Sequence, residues 1–202
     1  MPAPETVQST QATFNHVNLM VDSFLANTEL DDLRAIVRAT LASSGPNTAA
    51  VFTAAARKRL VQTSAKAISS STTLFDTLEN GLSVPAPGLE TILRQSRSMY
   101  GAGMGVAGLG VLTAVVKATV GLRWEIDGLM ADSLAAVDAD ISQAIQSAKE
   151  ELAGGRVSDL TAARAAVKEL GMYVAESLKD TARWGGEFPF ERALASIEYW
   201  KL

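Results

Sequence analysis

Residues 99–122 of this 202-residue chain, MYGAGMGVAGLGVLTAVVKATVGL, constrain its fold more than any other stretch. They include six glycines and no acidic residue, and Lys117 is their single charged side chain. Such a stretch is stable only where it leaves water or packs tightly against another segment. Two interpretations compete: a buried helix in a helical protein, and a span across a membrane.

The membrane interpretation has some support from spacing. Gly101 and Gly105 have the G-x-x-x-G separation of close helix contacts in bilayers, and Arg94, Arg97 and Arg123 flank the stretch as interfacial residues do. However, the sequence contains no second comparable segment, and the one charge falls five residues from the end of the stretch. The sequence therefore favours a core helix, and membrane insertion of the stretch is the alternative.

The helical phase of the stretch predicts one face almost without side chains. The residues of this small-residue stripe recur at four-and-three spacing: Gly103, Ala107, Gly110, Ala114, Ala118 and Gly121. Each interior glycine costs about 1 kcal/mol of helix stability relative to alanine. We therefore expect a second helix backbone to lie against the stripe, since close contact compensates that cost. The alternative is an apolar ligand pocket with the stripe as its floor.

Lys117 lies in the phase of this stripe and is the candidate catalytic residue if the protein is an enzyme. A buried ammonium group without a partner is unfavourable. We therefore expect an ion pair with Glu125, Asp127 or Asp132, and the alternative is that the Lys117 side chain snorkels to solvent. The complete set of ligand-pocket candidates beside the stripe is Tyr100, Gly103, Gly110, Lys117 and Arg123.

Other cofactor and metal patterns are weak in this sequence. Residues 103–108 match the G-x-G-x-x-G pattern of dinucleotide-binding turns, but that pattern needs a preceding strand, and ETILRQSRSMY has helical spacing. The chain has no cysteine and one histidine, His16, so thiolate and multi-histidine metal sites are excluded. The sequence predicts no cofactor and no metal, and Asp132, Asp138 and Asp140 are expected on a solvated face.

Helical periodicity continues along most of the chain. Apolar residues repeat at helical spacing in 5–27, and Leu30, Leu33, Ile36, Val37 and Leu41 predict a buried stripe in the helix after them. Two longer seams follow: Met130, Leu134, Val137, Ile141, Ala144, Ala148 and Leu152, then Leu160, Ala163, Val167, Leu170, Val174 and Leu178. Glycine pairs at 154–155 and 185–186 end these helices. No segment alternates with period two, so no sheet is expected, and residues around 74–78 are assigned to a short helix.

These patterns predict an all-α fold, a bundle of six to seven helices around the glycine-rich central helix. The length suits one domain spanning 1–202, with the proline- and glycine-rich residues 81–88 as a candidate hinge. The aromatic content is only 6%, which favours helix over sheet.

Charge is distributed unevenly. Residues 47–101 carry six basic and three acidic side chains, whereas residues 124–202 carry eight basic and fourteen acidic ones. This asymmetry is too mild for a nucleic-acid surface. The basic run Arg57-Lys58-Arg59 is interpreted as a solvated face, with an anionic-ligand patch as the alternative. The opening MPAPETVQST lacks the features of a secretion signal, so a cytoplasmic location is expected.

The C-terminal segment 184–202 concentrates five of the twelve aromatic residues: Trp184, Phe188, Phe190, Tyr199 and Trp200. This density predicts docking onto a groove, either of the same chain or of a partner. Ion pairs of Glu187, Glu191 and Arg192 are expected to hold the segment in place.

Three segments carry a family resemblance. FTAAARKRL (52–60), YGAGMGVAGLGVL (100–112) and WGGEFPFERA (184–193) resemble a group of uncharacterised fungal all-helical proteins. The resemblance implies an all-helical fold and supplies no activity, cofactor or catalytic residue to transfer. From the residues themselves, we expect a non-enzymatic binding or assembly protein that self-associates or binds a protein partner. The alternatives are an enzyme or carrier with a pocket beside the stripe, and a membrane-active protein that inserts residues 99–122.

Overall fold

The computed structural model describes residues 20–64 and 72–200. Most of these residues are helical, which confirms the all-α fold class. By its internal contacts the chain divides into two compact units, Met1–Phe52 and Thr53–Leu202. The candidate hinge at 81–88 lies inside the second unit. The start of the first expected helix, with His16, lies outside the described residues.

The first unit contains helix α1 (residues 20–27), helix α2 (Leu30–Ser43) and the start of helix α3 (Pro46–Ser64). No residue of α2 is buried, and Leu30 and Ile36 are 58% and 42% exposed. The expected buried stripe in this helix is therefore wrong. Helical spacing of apolar residues is therefore not sufficient for burial, because a stripe is buried only where another element covers it.

A small antiparallel sheet follows in the second unit. Strand β1 (Phe75–Thr77) pairs with strand β2 (Ser83–Pro85), with Phe75 opposite Pro85. Gly81, with φ of +82°, lies in the connecting turn, where the left-handed backbone favours glycine. The expectations of no sheet and of a helix around 74–78 are wrong, because strands of three residues are too short to show a period of two.

The remaining helices are α4 (Pro87–Gly101), α5 (Gly105–Thr119), α6 (Leu129–Ala153), α7 (Leu160–Trp184) and α8 (Glu191–Glu198). Helix α5 packs against α4, α6 and α7. The predicted seams of α6 and α7 are buried except at Leu152, which is half-buried, and at Leu160 and Leu178, which are exposed. Gly154 and Gly185 end these two helices as predicted, the latter with φ of +75°.

The glycine-rich stretch is two helices rather than one. Helix α4 ends at Gly101, and Gly103, with φ of +76°, turns the chain into α5. Within the described residues, no helix combines the length and the apolar character that crossing a membrane requires.

The small-residue stripe lies on the outside of α5. Ala107, Gly110 and Ala114 are exposed, and no described atom lies within 4 Å of the place where a Gly110 Cβ would stand. Leu109, Leu112, Val115 and Val116 on the opposite side are fully buried. The expected packing of a second backbone on the stripe is therefore wrong. Burying each large side chain contributes about 1.5–3 kcal/mol, which decides the orientation of the helix.

Different glycines make the close contacts of α5. A Cβ at Gly105 would collide with the backbone of Ala148 in α6, so the two helices touch main chain to main chain there. A Cβ at Gly108 would lie 3.5 Å from the Ser96 hydroxyl of α4, and that hydroxyl donates to the Gly108 carbonyl at 3.2 Å.

Candidate functional site

The aromatic C-terminal segment packs on its own chain. Phe190 is fully buried, and the Phe188 ring meets it edge to face with 6.1 Å between centroids. Trp184 packs edge to face on Trp124, with centroids 5.0 Å apart. Tyr199 is 85% exposed and does not share this packing. Four of the five docking candidates, the fourth being the half-buried Trp200, thus contact the core of the described chain.

Helix α8 begins through an unusual cap. Its N-cap residue, Phe190, has a hydrocarbon side chain that offers no hydrogen-bond acceptor and lies fully buried in the core. Asp138 of α6 supplies the missing acceptor: Oδ1 accepts from the Ala193 N–H at 2.8 Å, and Oδ2 accepts from the Arg192 N–H at 3.2 Å. Asp138 is buried, and burial raises the pKa of its carboxyl. Its expected place on a solvated face is therefore wrong.

A groove of about 440 Å³ opens beside this cap. We call it the acidic groove. Its apolar surface comes from Trp124, Ile126, Ala131, Ala135, Phe188 and Pro189, and its charged residues are Asp132, Asp138, Glu187, Glu191 and Arg192. Four carboxylates and one guanidinium therefore surround an aromatic floor.

Three of these carboxylates are exposed to solvent. Asp132, Glu187 and Glu191 make no ion pair with any residue in 20–64 or 72–200. Arg192 makes none within the same ranges, so the expected ion pairs of the tail are wrong. The tail is held by apolar packing and by the Asp138 cap instead. The acidic groove thus presents unpaired negative charge to solvent.

Lys117 is exposed and lies over the Tyr173 ring, with Nζ 5.1 Å from the ring centroid. The expected burial and the expected pairing with Glu125, Asp127 or Asp132 are therefore wrong. A side-chain hydrogen bond to Tyr173 raises the pKa of Lys117 above its ordinary value. A general base or nucleophile needs the opposite shift, so the surroundings of Lys117 do not prepare it for catalysis.

Arg123 has a structural role between α5 and α7. Its Nη1 lies 3.1 Å from Oδ2 of the buried Asp180, and its guanidinium lies 5.3 Å from the Trp184 ring centroid. The same Asp180 oxygen accepts from the Gly121 N–H at 2.9 Å. Arg123 thus secures the chain reversal after α5 and lies apart from Gly103 and Tyr100.

A buried carboxylate, Asp140, joins α6 to α4. It accepts from Arg97 Nε at 2.9 Å and from the Tyr100 hydroxyl at 2.9 Å, and Arg97 Nη2 adds a contact at 2.9 Å. Its expected solvation is wrong. Burial and the Asp140 hydrogen bond raise the pKa of Tyr100 to about 12. The Tyr100 hydroxyl is therefore a fixed donor at neutral pH.

A second cavity, of about 450 Å³, adjoins the turn between α4 and α5. Two of the five pocket candidates, Tyr100 and Gly103, line it, whereas Gly110, Lys117 and Arg123 do not. Arg57 and Arg156 line it as well. The sequence places Arg57 in a basic run, for which an anionic-ligand patch is the alternative interpretation. No sequence pattern singles out Arg156.

Within the described residues, no group of three or more histidine, cysteine, aspartate or glutamate side chains could hold a metal ion. Comparison with protein-family models, curated proteins and solved structures finds no match. The two cavities described above, with the charged residues that line them, are the features of the described residues that bear on function.

Proposed function

We propose that this protein is a non-enzymatic cytoplasmic binding and assembly protein whose copies associate through the acidic groove. The observation that carries the proposal is the groove itself, an aromatic floor beside three exposed carboxylates that have no ion-pair partner among the described residues. Apolar area supplies affinity when it is covered, and unpaired charges select a partner of opposite sign. The groove therefore suits a cationic segment with apolar side chains.

The chain carries such a segment in helix α3. That helix has no acidic residue, and its Lys58 and Arg59 are exposed. One turn later, Val61 is 61% exposed and supplies apolar surface on the same helix. We take this cationic surface of a second copy as the occupant of the acidic groove. As the folded unit that assembles, we take a bundle of six to seven of the eight described helices around α5.

In this assembly the acidic groove of one copy contacts helix α3 of the next copy, so the two surfaces in contact are different. Such a heterologous contact generates a ring when the rotation closes and an open filament when it does not. The oligomer is therefore expected to grow with concentration and to dissociate as salt screens the charge pairs.

Charge reversal tests this proposal. One variant carries Asp132→Lys with Glu187→Lys, and the other carries Lys58→Glu with Arg59→Glu. We expect the wild type to self-associate in sedimentation velocity, and each variant to associate at least tenfold more weakly, because like charges then face one another. An equimolar mixture of the two variants should regain association, since opposite charges meet again.

The matched control is Glu169→Lys with Glu176→Lys, which reverses two exposed carboxylates of α7 away from the groove. It should leave association unchanged, and circular dichroism should show the same helix content in every variant. A wild type that stays monomeric throughout the micromolar range would overturn the proposal. Association that none of the reversals affects would overturn the groove as its site, and a different cationic partner would then have to be sought.

A further inference from the structure

The cavity at the turn between α4 and α5 has a composition opposite to that of the acidic groove. Its polar lining includes two arginines, Arg57 and Arg156, and five neutral hydrogen-bonding side chains: Thr53, Tyr100, Gln143, Gln146 and Ser147. Glu150 is its one carboxylate, and Glu150 Oε1 already accepts from Gln146 Nε2 at 3.0 Å. The volume lies within the range of small-molecule sites in proteins.

The two guanidinium groups converge on Gly103. Arg57 Nη1 and Arg156 Nη2 each lie 3.6 Å from the point where a Gly103 Cβ would stand, so they are at most twice that distance apart. Gly103 leaves this point empty, and its φ of +76° is a conformation that glycine adopts without strain. Gly154 also makes room, because a Cβ there would collide with the Arg156 guanidinium.

Neither arginine is neutralised within the described chain. Arg57 Nη1 donates to the Ala102 carbonyl at 3.0 Å, but neither guanidinium makes an ion pair with a residue of 20–64 or 72–200. Two cations held this close repel one another, and an anion between them removes that repulsion. Charge-assisted N–H···O bonds of about 2.8 Å on each side would let a single tetrahedral oxyanion bridge both groups.

From this arrangement we infer an anion-binding site for a small phosphomonoester, with Arg57 and Arg156 holding the phosphate. Gln143, whose side-chain amide makes no hydrogen bond within the described residues, lines the same space beside Glu150. An amide and a carboxylate are suited to bind the hydroxyl or amino groups of an ester's organic part. No residue of the site lines the acidic groove, and none is among Lys58, Arg59 and Val61, the α3 residues that the assembly proposal places in the groove of a second copy.

Isothermal titration of the full chain tests this inference with three probes: inorganic phosphate, glycerol 3-phosphate, and vesicles containing phosphatidic acid. We expect saturable binding of the two small anions, with glycerol 3-phosphate bound more tightly. Amide shifts in a titration followed by NMR should be confined to the residues that line this cavity, with Arg57, Gly103 and Arg156 among them.

Arg156→Gln should weaken binding at least tenfold, and Arg57→Gln should do the same. The Arg156 side chain makes no hydrogen bond within the described chain, so its variant should keep the wild-type helix content and melting temperature. Arg164→Gln, a change of an exposed arginine on α7, is the matched control and should bind as the wild type does. Arg156→Lys keeps the charge but loses the planar fork, and its affinity should lie between those of the wild type and Arg156→Gln.

Three results would overturn the inference: no saturable binding of either small anion, an equal loss of binding in Arg164→Gln, or binding to vesicles alone. A phosphate-binding protein that stays monomeric would refute the assembly proposal and leave this site in place. The charge reversals at the acidic groove should not alter phosphate affinity by more than a factor of two.

Discussion

Substitution by alanine at two glycines of helix α5, Gly105 and Gly110, should change the stability of the protein in opposite directions. Gly105 lies where α5 meets the backbone of α6, and a Cβ there would stand 2.5 Å from the Ala148 Cα and nearer still to its nitrogen. Gly110 lies one and a half turns further on, with open space around it. The same substitution therefore tests the orientation of the helix directly.

The magnitude at Gly105 follows from the atoms that obstruct the new methyl group. They belong to the backbone of Ala148 and Ser147 and cannot rotate away, so α5 and α6 must separate by about 1 Å to restore ordinary contact. Overpacking of a close contact costs about 1–3 kcal/mol, and we expect the upper end because a helix has to move. At Gly110 the exchange removes the entropic disadvantage of an exposed helical glycine and should stabilise by about 1 kcal/mol.

Thermal unfolding followed by tryptophan fluorescence measures both effects. All three tryptophans, Trp124, Trp184 and Trp200, lie in the unit Thr53–Leu202, so the signal reports that unit. For its 150 residues, 1 kcal/mol corresponds to about 2–4 °C in melting temperature, so Gly105→Ala should lower it by about 6–12 °C and Gly110→Ala should raise it by about 2–4 °C. An unchanged melting temperature in Gly105→Ala together with a lowered one in Gly110→Ala would refute this orientation of α5. It would mean that the small-residue stripe is the packing face of the helix.

Two further predictions concern the C-terminal helix. Phe190→Ala removes a fully buried ring and should lower the free energy of unfolding by about 3–5 kcal/mol in urea titrations. Tyr199→Ala, at an 85% exposed position, should change it by less than about 0.5 kcal/mol, and equal effects of the two variants would contradict the docking of the tail. Burial raises the pKa of Asp138 above 3.8, so over the pH range just above 3.8 the folded state keeps a proton that the unfolded state releases. The resulting contribution to the free energy of unfolding is complete below pH 3.8 and is lost as pH rises through the raised pKa. Urea titrations at closely spaced pH values from 3.8 upward should show this local fall in the wild type and not in Asp138→Asn, and an identical fall in both would assign it to another group.

The long helices α6 and α7 were predictable because the same apolar pattern recurs in each of their turns. In α6 and α7 an apolar residue recurs every three or four positions over 25 residues, and a glycine follows the last turn. The β hairpin lacked such redundancy, since each strand has three residues and β2 ends in a proline. Local pattern identifies an element only when it is long enough to repeat.

The face of α5 was predicted wrongly for a different reason. Glycine and alanine occur both at close helix contacts and at exposed positions, so the small-residue stripe does not indicate which face of α5 is buried. The large residues opposite it, Leu109 and Leu112 among them, have a strong preference for burial and decide the outcome. Glycines that do make close contacts, such as Gly105, are recognisable only once the partner backbone is in place.

The two cavities were predictable only in part, because they join residues far apart in the chain. Tyr100 and Gly103 were candidates through their place in the glycine-rich stretch, but Arg156 meets them through the packing of α6 on α4. Asp138 and Asp140 looked like a solvated acidic face, and their partners lie 40 or more residues away in α4 and α8. No spacing rule on α6 alone could distinguish them from Asp132.

The buried aspartates show which negative charges remain for a partner. Asp138 caps α8, Asp140 binds Arg97 and Tyr100, and Asp180 holds the turn after α5, so each satisfies groups of another element. Removing any of them leaves buried donors without acceptors and should cost stability. The exposed carboxylates of the acidic groove satisfy nothing within the described chain, so their substitution should change stability by less than about 0.5 kcal/mol. An effect of those substitutions on association, with the fold unchanged, would therefore reflect a partner and not the folding of the chain.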